Sequence, residues 1–135
     1  MDDEGSVTQG VEKQICVMLV EDDNALRRLT EVRLQRAGYR VIAAANGLEA
    51  MRLVHSAPID IVITDAMMPT VSGYEFCRFI RTSPQLSHVK IILISGLLPE
   101  QDSPEKELAD AFLSKPFLQQ DLIEWIERLL PRRAE

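Results

Sequence analysis

Ile61-Val62-Ile63-Thr64-Asp65-Ala66-Met67-Met68-Pro69-Thr70-Val71-Ser72-Gly73 is an apolar, β-branched run that ends on one carboxylate and then turns. Four consecutive residues of strand type without polar alternation predict a strand covered on both faces, which in a chain rich in helical periodicity means a central parallel strand. Ligands of such sheets bind at the carboxyl edge, where Asp65 stands. An ionised carboxylate there is costly unless a positive charge compensates it, so a cation is expected nearby.

Working outward, the same pattern recurs. Ile15-Cys16-Val17-Met18-Leu19-Val20 is a second continuous apolar run, and it stops on Glu21-Asp22-Asp23. From Asn24 the periodicity becomes helical, with Leu26, Leu29, Leu34 and Ala37 expected inward and Arg27, Arg28, Glu31 and Arg36 outward. Asp23 or Asn24 can cap this helix, and Gly38 stops it. Tyr39 to Ala44 reads as a strand, Asn46-Gly47 as a turn, and Leu48 to His55 as a short helix burying Ala50, Met51 and Val54. The central strand follows at Ile59 to Thr64.

Beyond it, Pro69 and Gly73 bracket a loop, and Ser72 is the expected cap of a helix that buries Phe76, Cys77 and Ile80 and ends near Arg81. Lys90 to Ser95 is another apolar strand with a polar residue at its end. Gly96 to Leu108 contains Pro99 and Pro104, so any helix there is expected to be short. Ala111 to Ser114 is a last brief strand leading into Lys115-Pro116-Phe117. The final helix, about Gln119 to Leu130, is expected to bury Leu122, Ile126, Leu129 and Leu130, with Pro131 as its stop. Five strands alternating with helices predict an α/β fold, a parallel sheet wound on both faces. There is no internal repeat.

The bulk properties agree with one such domain: 135 residues, 46% hydrophobic, with a net charge of −6. Residues 1–13 are polar and acidic and are expected to be a disordered lead-in; 14–131 is the folded unit and 132–135 a solvated tail. The negative charge argues against direct nucleic-acid binding. The absence of a long apolar segment or a basic, apolar leader predicts a cytoplasmic protein with no membrane association. Cys16 and Cys77 lie in apolar patterns and are expected to be buried free thiols, and His55 and His88 are isolated, so no Cys/His metal cluster is expected.

Glu21 with Asp22, Asp65, Ser95 and Lys115 therefore all fall at carboxyl ends of strands and should meet at one edge. Three crowded carboxylates repel one another unless a hard divalent cation binds among them. Magnesium suits this ligand set, with manganese as a second candidate, and leaves coordination positions for a phosphoryl oxygen. Lys115 and the Ser95 hydroxyl would complete a cradle for the other two phosphoryl oxygens, with Asp65 as the nucleophile.

In the order and spacing of four blocks, the chain resembles the receiver domain of two-component response regulators from about Ile15 to Leu130. The blocks are Val20-Glu21-Asp22-Asp23; Ile63-Thr64-Asp65-Ala66-Met67-Met68-Pro69 with Gly73; Ile94-Ser95-Gly96; and Lys115-Pro116-Phe117. The resemblance implies a flavodoxin-like fold with strand order 2-1-3-4-5 and an aspartyl phosphate on Asp65. The donor would be a sensor histidine kinase or a histidine phosphotransfer protein in a phosphorelay. It further implies that Glu21, Asp22, Asp65 and the Met67 backbone carbonyl bind magnesium. Ser95 would be the switch hydroxyl, Phe112 the switch aromatic, and Lys115 the phosphate-binding lysine, whose bond to Pro116 is cis in that family. Phosphorylation would draw Ser95 inward, let Phe112 rotate, and change affinity for a downstream protein target or output domain.

The chain departs from the family pattern in places. Between Ser95 and Lys115 it is shorter than most receivers by about two residues, a tolerated loop change. Leu108 stands where a helix-ending glycine is common. Ala111 and Trp125 stand where transcription-factor receivers that dimerise through this side carry Asp and Arg. Met67 is apolar and is expected to shield a phosphoryl group on Asp65 from water. Each site residue also has an ordinary structural reading: capping acids for Glu21, Asp22 and Asp65, a surface lysine for Lys115, a strand-end hydroxyl for Ser95 and plain core for Phe112. Three other functions compete. A pseudo-receiver binding module would not need the complete acidic set, and an Asp-nucleophile phosphatase would need a second Asp where Met67 stands. A flavodoxin would need a phosphate loop after the first strand, and the chain has none.

Overall fold

The computed structural model describes residues 14–96 and 104–131. The expectations for the lead-in, for the tail and for residues 97–103 lie outside the described residues. Five strands, β1 (Cys16–Val20), β2 (Arg40–Ala44), β3 (Ile61–Asp65), β4 (Lys90–Ser95) and β5 (Ala111–Ser114), alternate with helices α1 (Asn24–Arg36), α2 (Gly47–Leu53), α3 (Gly73–Thr82) and α4 (Gln119–Leu129). A short 3-10 turn, Pro104–Glu107, precedes β5. All strand pairs are parallel, in the order β2-β1-β3-β4-β5. The doubly wound, flavodoxin-like arrangement expected from the sequence is the one observed.

Period-two alternation explains why the central strands are apolar throughout. Met18, Val20, Val62, Ile91 and Leu93 point into one layer, where Phe76, Cys77 and Ile80 of α3 and Ala50 of α2 cover them. Val17, Leu19, Ile61, Ile63, Ile92 and Ile94 point into the other layer, against Leu34 of α1 and Leu122 and Ile126 of α4. Both faces are therefore covered, so neither tolerates polar alternation. Cys16 and Cys77 are buried free thiols in this core.

The helix ends follow local chemistry. Asp23 caps α1, accepting from the Leu26 amide, and Gly38 just past its end adopts φ 99°, a conformation glycine allows at least cost. Asn46 caps α2. Ser72 and Glu75 form a reciprocal capping box on α3.

The helix α1 corrects one inward assignment. Leu29 is 49% exposed, whereas Thr30 is buried at 2%. The inward stripe runs through 26, 30, 34 and 37, and hydrophobicity alone picks the wrong neighbour because leucine and threonine stand 100° apart on the helix. Thr30 is tolerated inside because its hydroxyl accepts a hydrogen bond from Gln119 Nε2 at 3.0 Å. Arg27 and Glu31, expected outward, are half-buried, and Met51, Leu129 and Leu130 pack against the core while remaining partly exposed. In the described part of the segment after Ser95, the helix is one short turn, as the prolines predict.

Candidate phosphoryl-acceptor site

The strand register brings the candidate residues to one edge. Val20 pairs with Thr64, Asp65 with Ile94, and Ser95 with Ser114. Glu21 and Asp22 thus follow the end of β1, Asp65 and Ser95 close β3 and β4, and Lys115 is the first residue beyond β5. Parallel strands in near-equal register deliver their last residues together, which is why five positions spread over 95 residues of chain become neighbours.

Glu21, Asp22 and Asp65 each offer a carboxylate oxygen, and these three oxygens lie within 4.8 Å of one another. Glu21 and Asp65 are buried, at 4% and 6% exposure, while Asp22 faces solvent. The Lys115 ammonium donates to Asp65 Oδ2 at 2.8 Å and lies 3.4 Å from Glu21 Oε1. It is the positive charge that the buried carboxylate of β3 requires. Burial pushes the Glu21 carboxyl above its ordinary range; the Asp23 amide, donating to Glu21 Oε2 at 3.1 Å, and the nearby lysine act against that rise. For Lys115, burial is the largest influence and works downward. Its hydrogen bond to Asp65 and the charges of Glu21 and Asp65 together outweigh burial, and the ammonium is held above its ordinary value.

An all-oxygen set with one solvent-facing member fits a hard divalent ion that retains waters, and it does not fit a thiophilic one. The partly uncompensated charge of Glu21 is the physical reason such an ion would be favoured. Ser95 is buried on the neighbouring strand, one residue beyond the Ile94 that pairs with Asp65, and Phe112 is half-buried against the layer that contains α3. The Met67 side chain is 70% exposed, and the Lys115–Pro116 peptide bond is cis.

Two residues escaped sequence reasoning. Arg27 donates to the Glu21 carbonyl at 2.8 Å and to Asn24 Oδ1 at 2.7 Å, bracing the turn that carries both acids. An arginine in the first helical turn reads as a solvated charge, and nothing in its spacing signals a main-chain acceptor. Gly73 was legible as a loop glycine and as part of the receiver pattern, but its packing against β3 was not. Its amide donates to the Ala66 carbonyl at 2.9 Å, and a Cβ there would lie 2.0 Å from the Asp65 carbonyl oxygen. The first turn of α3 therefore rests on the main chain that presents Asp65.

Among the described residues, the large apolar side chains that stay exposed are Leu29, Leu48, Met67 and Leu118. Leu48 lies in the first turn of α2, Met67 follows β3 and Leu118 occupies the position before α4, so these three lie at the carboxyl edge of the sheet, with Leu29 on the second turn of α1. A shallow cavity of about 260 Å³, lined by Asp22, Ala45, Asn46, Leu48, Pro69 and Thr70, adjoins the acids.

Residues 17–127 match the family model described as the response regulator receiver domain. Among curated relatives, the uncharacterized transcriptional regulatory protein YrkP of Bacillus subtilis is 40% identical over 108 residues, covering 78% of this chain and 45% of the relative. The response regulator receiver protein CpdR of Brucella abortus is 35% identical over 119 residues, covering 84% of this chain and 95% of the relative. Among solved structures, response regulator protein TrrA of Thermotoga maritima, in complex with Mg(2+)-BeF, superposes with a TM-score of 0.78 at 32% identity. That match covers 87% of this chain and all of the other. The chain spans about half the length of several of the curated relatives it matches. No helix among the described residues is long and apolar enough to cross a membrane.

Proposed function

The chain belongs to the response regulator receiver domain family, a family of signalling switches, and we propose on that footing that it accepts a phosphoryl group on Asp65. The donor is a sensor histidine kinase or a histidine phosphotransfer protein, and the product changes the chain's affinity for a downstream target or output domain. The observation that carries the proposal is the buried Asp65 carboxylate, 2.8 Å from the Lys115 ammonium inside a three-carboxylate cluster.

Glu21, Asp22 and Asp65, with the Met67 carbonyl, would hold magnesium or manganese, which when bound neutralises the acids and polarises the phosphoryl oxygens. Asp65 supplies the attacking oxygen: a P–O bond forms to its carboxylate, the P–N bond to the donor imidazole breaks, and the electron pair leaves with that nitrogen. Lys115 is already at hydrogen-bond distance from Asp65 and transfers its charge-assisted contact to a phosphoryl oxygen without crossing the site. The Ser95 hydroxyl, buried at the end of the neighbouring strand, donates to a second oxygen, and Phe112 follows it inward. The exposed Leu48, Met67 and Leu118 suit a protein donor, because apolar side chains at the edge that carries a charged centre supply contact area that a small phosphate ester would not use.

Incubation with magnesium and acetyl phosphate tests this. One phosphoryl mass should be added, and Asp65→Asn should abolish it. The absence of an adduct on the parent chain would favour a binding module that has lost phosphoryl chemistry. Rapid turnover of organic phosphates would favour a phosphatase.

A further inference from the structure

Helix α3 is fastened at both ends. At its start, the capping box holds the first turn: Glu75 N–H donates to Ser72 Oγ at 3.1 Å and Ser72 N–H to Glu75 Oε1 at 2.8 Å. Gly73 meanwhile donates to Ala66 and touches the Asp65 carbonyl too closely to admit a Cβ. At its far end, Arg81 reaches two separate stretches of chain, 87–89 and 108–110. Its Nε donates to the Leu108 carbonyl at 3.0 Å, Nη1 to the Val89 carbonyl at 2.7 Å and to Ser87 at 3.3 Å, and Nη2 to Asp110 Oδ2 at 2.8 Å. Asp110 Oδ2 also accepts from Ile91 N–H at 2.8 Å, and Asp110 N–H donates to the Ile91 carbonyl at 2.8 Å. A rigid, planar fork of five donors can serve these acceptors together, whereas a lysine ammonium on a flexible stem cannot span them.

Between its fastened ends α3 is an unbroken helix of 10 residues, about 15 Å long at 1.5 Å per residue. Its inner face, Phe76 and Ile80, packs in the same cluster as Leu108, Ala109 and Phe112. A displacement of the Asp65 main chain must therefore displace α3, since the glycine contact leaves no slack. A displacement of α3 in turn pulls on Leu108 to Asp110 through the guanidinium.

Resting on the acceptor role proposed for Asp65, we infer that α3 is a mechanical link from that residue to the entry of β5, and that Arg81 is the positioning residue that completes it. The link runs beside the route through Ser95 and acts on Phe112 from its other flank. By reciprocity, a partner that grips the Leu108–Asp110 turn biases the acceptor site through the same helix.

The test uses the full chain with magnesium and beryllium fluoride, a phosphoryl stand-in, and reads amide chemical shifts by NMR. In the parent, Ala66 and Gly73 report occupancy of the site, and Ile91, Asp110 and Phe112 respond with them. In Arg81→Met and Arg81→Lys, Ala66 and Gly73 should keep their response while that of Ile91 and Asp110 falls roughly threefold or more. Asp110→Asn, which keeps the carbonyl contacts of Arg81, should give an intermediate loss and serves if an Arg81 variant fails to fold. A full response at Ile91 and Asp110 in the Arg81 variants overturns the link but leaves the acceptor role standing. No response at Ala66 and Gly73 in the parent removes the acceptor role and the link with it.

Discussion

Gly73→Ala should damage both stability and phosphoryl acceptance. The added methyl would lie 2.0 Å from the Asp65 carbonyl oxygen and 2.8 Å from Ala66 Cα and Asp65 C, all main-chain atoms. Carbon and carbonyl oxygen approach to about 3.3 Å at best, so the two backbones must separate by roughly 1.3 Å. That movement stretches the 2.9 Å Gly73–Ala66 hydrogen bond beyond its useful range in a buried setting. Overpacking costs about 1–3 kcal/mol and an unmade buried hydrogen bond a similar amount, against a gain of at most about 1 kcal/mol in helix propensity. A net loss of about 2–4 kcal/mol lowers the melting temperature of a domain this size by roughly 8–16 °C. A shift of this size at the acceptor should also slow phosphorylation by up to about 100-fold. Circular dichroism melts and single-turnover labelling with acetyl phosphate read the two effects. Gly96→Ala is the control, because nothing lies within 4 Å of its Cβ position, and its effect should stay within about 0.5 kcal/mol. If Gly73→Ala melts and labels like Gly96→Ala, α3 can slide freely over β3 and the close approach has no functional weight.

Removing the Lys115 ammonium should separate metal binding from chemistry. Lys115→Met leaves the three carboxylates without their resident cation, so calorimetry should show magnesium binding tightened by roughly tenfold, while acetyl phosphate labelling is lost; weaker magnesium binding would count against the charge argument. Burial pushes the Cys77 thiol up to about 12 from an ordinary 9.0. Because the folded value is the higher one, the stability from keeping it neutral is complete below pH 9 and is lost as pH rises from 9 toward 12, at up to about 1.4 kcal/mol per pH unit. Urea titrations should therefore show a flatter alkaline decline in Cys77→Ala than in the parent, and equal slopes would refute the assignment. Met67→Asn should shorten the lifetime of the phosphorylated form several-fold by admitting water beside the acyl phosphate; a lifetime equal to or longer than the parent's would remove Met67 from that control.

The fold was legible because each element carries its own signal. Short, uninterrupted, β-branched runs favour strands covered on both faces, Gly38 and Ser72 mark helix ends chemically, and the right-handed crossover rule leaves few ways to join five such units. The site was legible for a related reason: Glu21, Asp22, Asp65, Ser95 and Lys115 all end strands, and the register of a parallel sheet turns that shared position into proximity. Leu29 and Thr30 show where a one-dimensional pattern stops, since the inward direction of a helix depends on how it is rotated against its sheet.

Residue type and spacing along the chain thus determined the parallel, doubly wound sheet and the group of side chains at its carboxyl edge, because these depend on local periodicity and on connection rules, while the strand order came from the resemblance to receiver domains. Only the tertiary structure decided that Lys115 lies 2.8 Å from Asp65, that Gly73 rests on the Asp65 main chain and that Arg81 binds two separate segments, 87–89 and 108–110, at once. Those contacts involve carbonyl oxygens and rotamers, and main-chain acceptors are the same in every residue, so no residue letter announces them.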